Sequence, residues 1–372
     1  MYNLKSSEGI FEYLNGTRFS ASDVQSLSGG SSAFTYRVIL ENPLKTGEKT
    51  VVLKHFESVA ARIEGMEADL DRADHEYIAL SAIAASGLFD SESTVQAPRP
   101  IEYDQRTHTI FMYDLGSPIP LAQVLERGFE NNESPESETS KLASDIGEAI
   151  GDFIGRLHNW STRAEQETLR SYFAKKPDWN QKVVAVFSSF ITLSADRFKL
   201  HEAWTDMLIA RECQEASVTR SDCVLVMGDC SLHNTLVSPP SEGQNMRIYL
   251  TDLEVARFSE PEVDMGELTA SATSFELLYY PDMGYPFIPA LHRAYRRHRT
   301  LDPGRIGATT GTCLMGIGPL FPWAKNKDEA QLRKIAVAGL ELLEYSFKYD
   351  RDSLRSSPIL QHLFSPRDEQ HI

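Results

Sequence analysis

The chain reads Val226-Met227-Gly228-Asp229-Cys230-Ser231-Leu232-His233-Asn234 and, shortly afterwards, Thr251-Asp252-Leu253-Glu254. A short apolar run precedes the first acid of each stretch: Val224-Leu225-Val226 in one case and Arg247-Ile248-Tyr249-Leu250 in the other. Runs of this length and composition are typical of strands. The sequence therefore predicts two strand ends that bring two aspartates and an asparagine together.

The spacing from Asp229 to Asn234 places a carboxylate and an amide on one tight loop. Such a loop can present a base to an acceptor hydroxyl and a magnesium ligand to nucleotide phosphates. Asp and Asn are also common in turns, where their side chains form hydrogen bonds with the nearby backbone, so the spacing alone is weak evidence for an active-site loop. The second acidic pair, Asp252 and Glu254, strengthens the hypothesis of a phosphoryl-transfer site.

The composition limits the kind of protein. At 372 residues, 41% of them hydrophobic, the chain can bury a large core and form two domains. A net charge of -16 disfavours nucleic acid and anionic membranes as partners; it suits a cationic small substrate, although solubility explains it equally well. The four cysteines lack metal-ligand spacing. Without a signal peptide or a membrane-spanning segment, we expect a soluble, cytoplasmic protein.

A turn of small residues, Ser28-Gly29-Gly30-Ser31-Ser32-Ala33, lies between the predicted strands Val24–Leu27 and Phe34–Leu40. Small residues let backbone amides approach a phosphate closely, which bulky side chains would prevent. A plain hairpin connection explains the same turn. A Walker loop is excluded, because no G-x-x-x-x-G-K-S/T occurs.

Lys54 lies near the end of a predicted buried strand, Thr50–Phe56. A buried ammonium group without an anionic partner is energetically expensive. Glu76, on a helix predicted from Ala73 to Ala84, is the natural partner, and the pair would direct Lys54 towards a phosphate. The alternative is a strand-end lysine that reaches solvent.

The chain changes character near Gly116. Two further predicted strands, Ile101–Asp104 and Thr109–Gly116, complete a small antiparallel sheet with one helix, which predicts a first domain of residues 1–115. Helical periodicity dominates afterwards, as in the helix predicted from Ser140 to Trp160. We therefore predict a mainly helical second domain of residues 116–372 and an α+β fold class.

Two polar residues of the second domain are interpreted as structural. His158 closes the long apolar helix, where a histidine usually satisfies local hydrogen bonds. Asp264 opens a later helix, which it can cap; it could equally brace the Asp229 loop through backbone amides. We favour the structural role of a cap for Asp264.

The order of these features resembles the aminoglycoside phosphotransferase and choline kinase superfamily, the small-molecule branch of the protein-kinase-like fold. Within it, the chain is most similar to methylthioribose-kinase-like proteins and fungal hydroxytryptamine kinases, on the motifs Leu27-Ser28-Gly29-Gly30, Leu53-Lys54-His55, Arg156-Leu157-His158-Asn159 and Asp252-Leu253-Glu254. The resemblance runs from about Val24 to Leu268. It implies a bilobal fold with a small antiparallel N-lobe, one helix in that lobe, and a larger helical C-lobe.

The resemblance also implies an ATP-dependent kinase that phosphorylates a hydroxyl of a small molecule. Asp229 would be the catalytic residue, which accepts the hydroxyl proton or orients the hydroxyl, and Asn234, Asp252 and Glu254 would hold Mg²⁺. The last of these three could instead lie behind the metal ligands. The residues that would bind ATP are Ser28, Gly29, Gly30, Ser31, Lys54, Glu76 and, beside the adenine, Met112, Tyr113 and Leu115.

Met227 departs from the superfamily's usual H-G-D form, in which the histidine braces the loop. We expect activity to survive, and the main alternative is a catalytically weak relative that serves as a nucleotide-binding scaffold. A protein kinase is disfavoured, because Leu253-Glu254 follows Asp252 where Phe-Gly would stand and no A-P-E occurs downstream. The acceptor stays open among hydroxylated amines or indoles, thiosugars, amino alcohols and aminoglycosides, and the oligomeric state is not indicated.

Overall fold

The computed structural model describes residues 2–27, 32–61, 67–130, 138–176, 178–215, 222–238, 245–280 and 285–364. Within these ranges, no helix combines the length and the apolar character that crossing a membrane requires. The strands are β1 Ala21–Ser26, β2 Phe34–Leu40, β3 Thr50–His55, β4 Val95–Gln96, β5 Pro100–Asp104, β6 Thr109–Tyr113, β7 Ile119–Pro120, β8 Val224–Val226, β9 Thr235–Ser238, β10 Arg247–Leu250 and β11 Arg257–Ser259. The helices are α1 Ser7–Leu14, α2 Asp71–Ala85, α3 Leu121–Glu130, α4 Glu138–Ser161, α5 Glu167–Ala174, α6 Asp178–Phe198, α7 Thr205–Glu215, α8 Glu262–Tyr279, α9 Phe287–Arg296, α10 Pro303–Gly316, α11 Glu329–Phe347, α12 Arg351–Ser356 and α13 Gln361–Phe364.

The chain divides into two compact units. The first unit consists of Met1–Phe89, Ala97–Pro118 and Thr251–Ala256. The second consists of Asp90–Gln96, Ile119–Leu250 and Arg257–Ile372. Each unit therefore takes a short segment from the other's part of the sequence, whereas the predicted domains, 1–115 and 116–372, are contiguous. That domain assignment stays a prediction.

The first unit contains a five-stranded sheet in the order β1-β2-β3-β6-β5, in which every neighbouring pair is antiparallel. Alternate residues of β2, namely Tyr36, Val38 and Leu40, point into the core because successive side chains of a strand face opposite sides. Helix α1 contributes Ile10 and Leu14 to the same core. The predicted antiparallel sheet is confirmed.

Strand β6 ends at Tyr113, before the predicted end at Gly116. The Asp114 carboxylate accepts hydrogen bonds from two nitrogens of Arg37, with Nε at 2.7 Å and Nη2 at 3.0 Å. Gly116 then adopts a φ of 78°, a left-handed conformation that glycine reaches without steric cost. The ion pair and the glycine together redirect the chain as it leaves the sheet.

The second unit is mainly helical, as predicted, with a four-stranded sheet ordered β4-β10-β9-β7 and the strand pair β11-β8. Helices α10 and α11 approach so closely that glycine is required at the contact. A Cβ atom added to Gly339 would lie 2.3 Å from the backbone nitrogen of Met315, and one added to Gly311 would lie 2.8 Å from the Gly339 carbonyl oxygen. Side chains at these positions would force the two helices apart.

Glu262, at the start of α8, is a buried carboxyl group with incomplete hydrogen bonding. Its Oε1 accepts the backbone amide of Asp302 at 2.8 Å, but Oε2 has no hydrogen-bond partner among the described residues. Burial raises the pKa of Glu262 to about 7, from an ordinary value of 4.5. Because the folded state holds this proton more tightly than the unfolded chain does, its contribution to stability is present below pH 4.5 and is lost as the pH rises to 7.

We therefore expect Glu262→Gln, which cannot ionise, to gain stability relative to the wild type as the pH rises. From the ordinary and the raised pKa, the gain between pH 5 and pH 8 is about 2 kcal/mol. Urea unfolding at both pH values measures it, and the same substitution at the exposed Glu165 is the control. A difference that does not change with pH would mean that Glu262 is ionised in the folded protein.

Candidate active site

The Asp229 loop begins directly after β8, which pairs with β11 in the second unit. Gly228 adopts a φ of 80°, so the residue before the aspartate must enter a left-handed turn that side chains disfavour. Asp229 itself is half-buried, whereas Cys230 is buried. The backbone therefore favours a glycine directly before Asp229.

Asp264 holds the entry to this loop. One of its carboxylate oxygens accepts the amides of Met227 and Gly228, each at 2.9 Å, and the other accepts Met227 at 3.0 Å. The preference for a helix cap is wrong: Asp264 lies within α8, whose N-cap is Pro261, and its carboxylate bonds to the loop amides. Because backbone amides supply the donors, this brace does not depend on the side chain at position 227.

His158 supports Asp264 from α4. The ring is completely buried, with Nε2 3.2 Å from the Asp264 carboxylate and Nδ1 2.9 Å from the Tyr295 hydroxyl. These contacts agree with the structural role expected of His158. Through Asp264, the His158 side chain of α4 thus supports the Asp229 loop, which lies about 70 residues further along the chain.

Asn234 closes the loop on itself. Its side-chain Nδ2 donates to the Asp229 carbonyl oxygen at 3.0 Å, and its backbone amide donates to Ser231 Oγ at 3.3 Å. The five-residue spacing therefore lets the amide side chain reach back across the turn. This bond also fixes the plane of the Asn234 side chain, whose oxygen is the atom able to bind a metal.

In the first unit, Lys54 lies among three carboxylates. Its Nζ is 2.7 Å from Glu76 Oε2, contacts Asp252 Oδ1, and is 3.8 Å from Glu254 Oε2. Burial alone would lower the pKa of Lys54, but Asp252, Glu76 and Glu254 outweigh it and raise that pKa. Lys54 is accordingly a fixed positive charge held by an ion-pair network.

The carboxylate side of the cluster carries excess negative charge. Burial, together with Asp252 and Glu254 and against the attraction of Lys54, raises the pKa of Glu76 to about 7. Asp252 adopts a φ of 62°, in the left-handed region that Asp tolerates better than most residues. This conformation sets the direction of the carboxylate at the end of β10.

Arg72 is a member of this cluster that the sequence reasoning missed. Its Nη1 lies 3.2 Å from Glu254 Oε2, and its Nη2 donates to the backbone carbonyl oxygens of Ser32, at 2.9 Å, and Glu57, at 3.0 Å. Arg72 is four residues before Glu76 on α2 and therefore lies on the same helix face. This spacing was the feature of the sequence that could have placed Arg72 in the cluster. The side chain links Glu254 to the end of the small-residue turn.

No protein-family model matches the sequence. A 4-hydroxytryptamine kinase of Psilocybe cyanescens is 26% identical over 346 residues, which cover 90% of this chain and 92% of that protein. The 4-hydroxytryptamine kinase of Psilocybe cubensis is 24% identical over 348 residues, covering 91% and 92%. This chain is a phosphotransferase that is similar to these two kinases over about nine-tenths of its length.

The fold of this phosphotransferase is confirmed by a solved structure. A candidate aminoglycoside phosphotransferase from Ralstonia eutropha JMP134 matches with a TM-score of 0.52 and 15% identity, over 93% of this chain and 98% of that one. The mixed α+β class, with an antiparallel N-terminal sheet and a helical C-terminal part, agrees with that likeness.

The predicted ATP-binding residues of the phosphotransferase fall into three groups. Lys54 and Glu76 form the ion pair described above, whereas Ser28, Gly29, Gly30 and Ser31 lie outside the described residues. The third group lies at and beyond the end of β6, where Met112 is buried and two residues are half-buried: Tyr113 and Leu115.

Three carboxylates of the first unit could hold a divalent metal. Oxygens of Glu76, Asp252 and Glu254 lie within 4.8 Å of one another. Carboxylate oxygens are the ligands that Mg²⁺ prefers, so the chemistry of this donor set fits the metal. Of the predicted metal ligands, Asp252 and Glu254 belong to this set, whereas Asn234 belongs to the second unit.

Proposed function

We propose that this chain is an ATP-dependent kinase that transfers the γ-phosphate of ATP to the hydroxyl of a small aromatic amine. The buried Lys54 network carries the proposal. An ammonium group held by Glu76 and Asp252 can neutralise the charge of nucleotide phosphates.

The roles follow from the chemistry of each side chain. Asp229 accepts the proton of the acceptor hydroxyl or orients that hydroxyl while its oxygen attacks the γ-phosphorus and ADP leaves. Lys54, aligned by Glu76, neutralises charge on the phosphates. In this proposal the turn Ser28–Ala33 covers the phosphates, and the backbone of Met112, Tyr113 and Leu115 faces the adenine.

Asp252, Glu254 and Asn234 are the proposed Mg²⁺ ligands. Their oxygen donors suit this ion, and Glu254 lies either on the metal or directly behind it, where Arg72 contacts it. When bound, Mg²⁺ supplies charge neutralisation on the triphosphate. Arg72 offsets part of the negative charge of the cluster and ties it to the phosphate-binding turn.

The acceptor is proposed to be a hydroxylated indole amine. Two relatives that align over nine-tenths of this chain are 4-hydroxytryptamine kinases, and a net charge of -16 attracts a cationic amine. In the second unit, Phe275, Tyr279 and Trp323 form a cluster of packed aromatic rings. Tyr279 also begins the aromatic stretch Tyr279–Phe287, of which residues 281–284 lie outside the described residues.

ADP release with four acceptors tests the proposal: 4-hydroxytryptamine, methylthioribose, choline and kanamycin. We expect kcat/KM for the indole amine to exceed the others by about tenfold or more, which corresponds to ~1.4 kcal/mol of transition-state binding. Tryptamine, which lacks the hydroxyl, is the matched control and should give no product. Phosphorus NMR identifies the phosphate ester, and removing Mg²⁺ with EDTA should stop turnover.

Three outcomes would contradict this function. Tight nucleotide binding without turnover of any acceptor would favour the scaffold. Phosphorylation of a generic protein substrate would favour a protein kinase. Preference for methylthioribose, choline or kanamycin would retain the kinase and overturn the acceptor.

A further inference from the structure

Three acceptors on one face of α8 bond to alternate amides of the Asp229 loop. Asp264 accepts a hydrogen bond from the amide of Gly228 at 2.9 Å, Glu267 Oε2 from that of Cys230 at 3.0 Å, and Ser271 Oγ from that of Leu232 at 3.1 Å. The order of the acceptors along α8 is the order of the donors along the loop. The acceptors lie three and four residues apart, hence one above another on a helix. The donors lie two residues apart.

Each acceptor lies about one turn of α8 beyond the previous one. Helix α8 therefore holds the loop at three points, and Glu267 is the middle one.

Glu267 bonds to the peptide that directly follows Asp229. The amide of Cys230 donates to Glu267, and the carbonyl oxygen of the same peptide, which belongs to Asp229, accepts from Asn234 Nδ2 at 3.0 Å. A peptide unit is planar, so bonds at both of its ends fix its orientation. The Cα of Asp229 is thus attached to a peptide that cannot rotate.

Glu267 is buried, and the space beyond it is not filled by packing. A cavity of about 90 Å³ is lined by Glu267, Arg257, Cys313 and residues of α6 and α10. Burial, Asp264 and Asp229 raise the pKa of the Glu267 carboxyl well above its usual range, against the attraction of Arg257.

We propose that Glu267 is a positioning residue for Asp229, acting through the Cys230 amide. The proposal rests on the catalytic role of Asp229 in the proposed function. The role requires an acceptor oxygen on a side chain long enough to reach the Cys230 amide. Gln supplies an oxygen at the same place, whereas Met fills the same volume without one.

The test compares Glu267→Met with Glu267→Gln. We expect Met to lower kcat by roughly 10- to 100-fold, the range associated with misplacing a catalytic group by about 1 Å, with KM for ATP and for the acceptor unchanged. Gln should restore kcat to within about threefold of the wild type, because its amide oxygen can accept the same hydrogen bond from the Cys230 amide. Hydrogen exchange at the Cys230 amide should be fast in the Met variant and protected in the Gln variant.

Thr273→Val is the matched control. Thr273 is buried on the same helix, and its hydroxyl has no hydrogen-bond partner among the described residues. The substitution alters a polar side chain of α8 without touching the loop, so kcat and Cys230 exchange should equal those of the wild type.

Two results would overturn the role of Glu267: a folded Met variant with wild-type kcat and Cys230 protection, or equal losses in the Met and Gln variants. Asp229→Asn, measured alongside, separates this from failure of the proposed function. If Asp229→Asn turns over as fast as the wild type, the catalytic assignment fails whatever Glu267 does. If Asp229→Asn is inactive and Glu267→Met is not, the role of Glu267 alone is wrong.

Discussion

Asp229→Asn should lower kcat by roughly 10²- to 10³-fold and leave the affinity for ATP unchanged. Asparagine keeps the size of the side chain and can still hold a hydroxyl, but it cannot accept a proton. The loss is limited because general-base catalysis contributes little to a loose phosphoryl-transfer transition state. The fold should persist, since Asp264 and Glu267 hold the loop through its backbone amides.

Single-turnover kinetics with the best acceptor, together with nucleotide titration, measure this effect. The same chemical change at the exposed Asp222, just before β8, is the matched control and should be neutral. A variant that fails to bind ATP would indicate a misfolded loop, whereas one that binds ATP and turns over normally would show that Asp229 is not the catalytic residue.

The sequence predicted some elements to the residue. Strands β2, β8 and β10 were predicted with their observed bounds. Each is a short, largely apolar run, and the polar or small residues on either side mark where the strand begins and ends. The partnership of Lys54 and Glu76 was also predictable, since a buried ammonium requires a carboxylate and the nearest helix supplies one.

The supports of the site were not predictable in the same way. Arg72 reaches Glu254 across 182 residues, Arg37 reaches Asp114 across 77, and Glu267 reaches the Cys230 amide across 37. A backbone amide leaves no trace in the sequence, so nothing marks Glu267 as its acceptor. Asp264 shows the error that results: its local pattern is that of a helix cap, and only the tertiary fold supplies Met227 and Gly228 as its donors.

The Lys54 network has a structural and a chemical role, and Lys54→Met should damage both. Glu76 would stay buried beside Asp252 and Glu254 without its ammonium partner. Breaking a buried ion pair from one side costs about 3–5 kcal/mol, because the remaining charge is uncompensated. Turnover should fall by about 10²-fold or more, since a preorganised positive charge on the phosphates is lost.

The double variant Lys54→Met/Glu76→Leu separates the two roles. Replacing both members of a buried pair by apolar groups of similar volume is often neutral or stabilising, so most of the lost stability should return. Activity should not return, because neither side chain can place a positive charge at the phosphates. Urea unfolding and ADP release on the wild type, both single variants and the double variant complete the cycle. Recovery of turnover in the double variant would show that Lys54 serves only to neutralise Glu76, whereas stability that stays low would mean that Asp252 and Glu254 also depend on its charge.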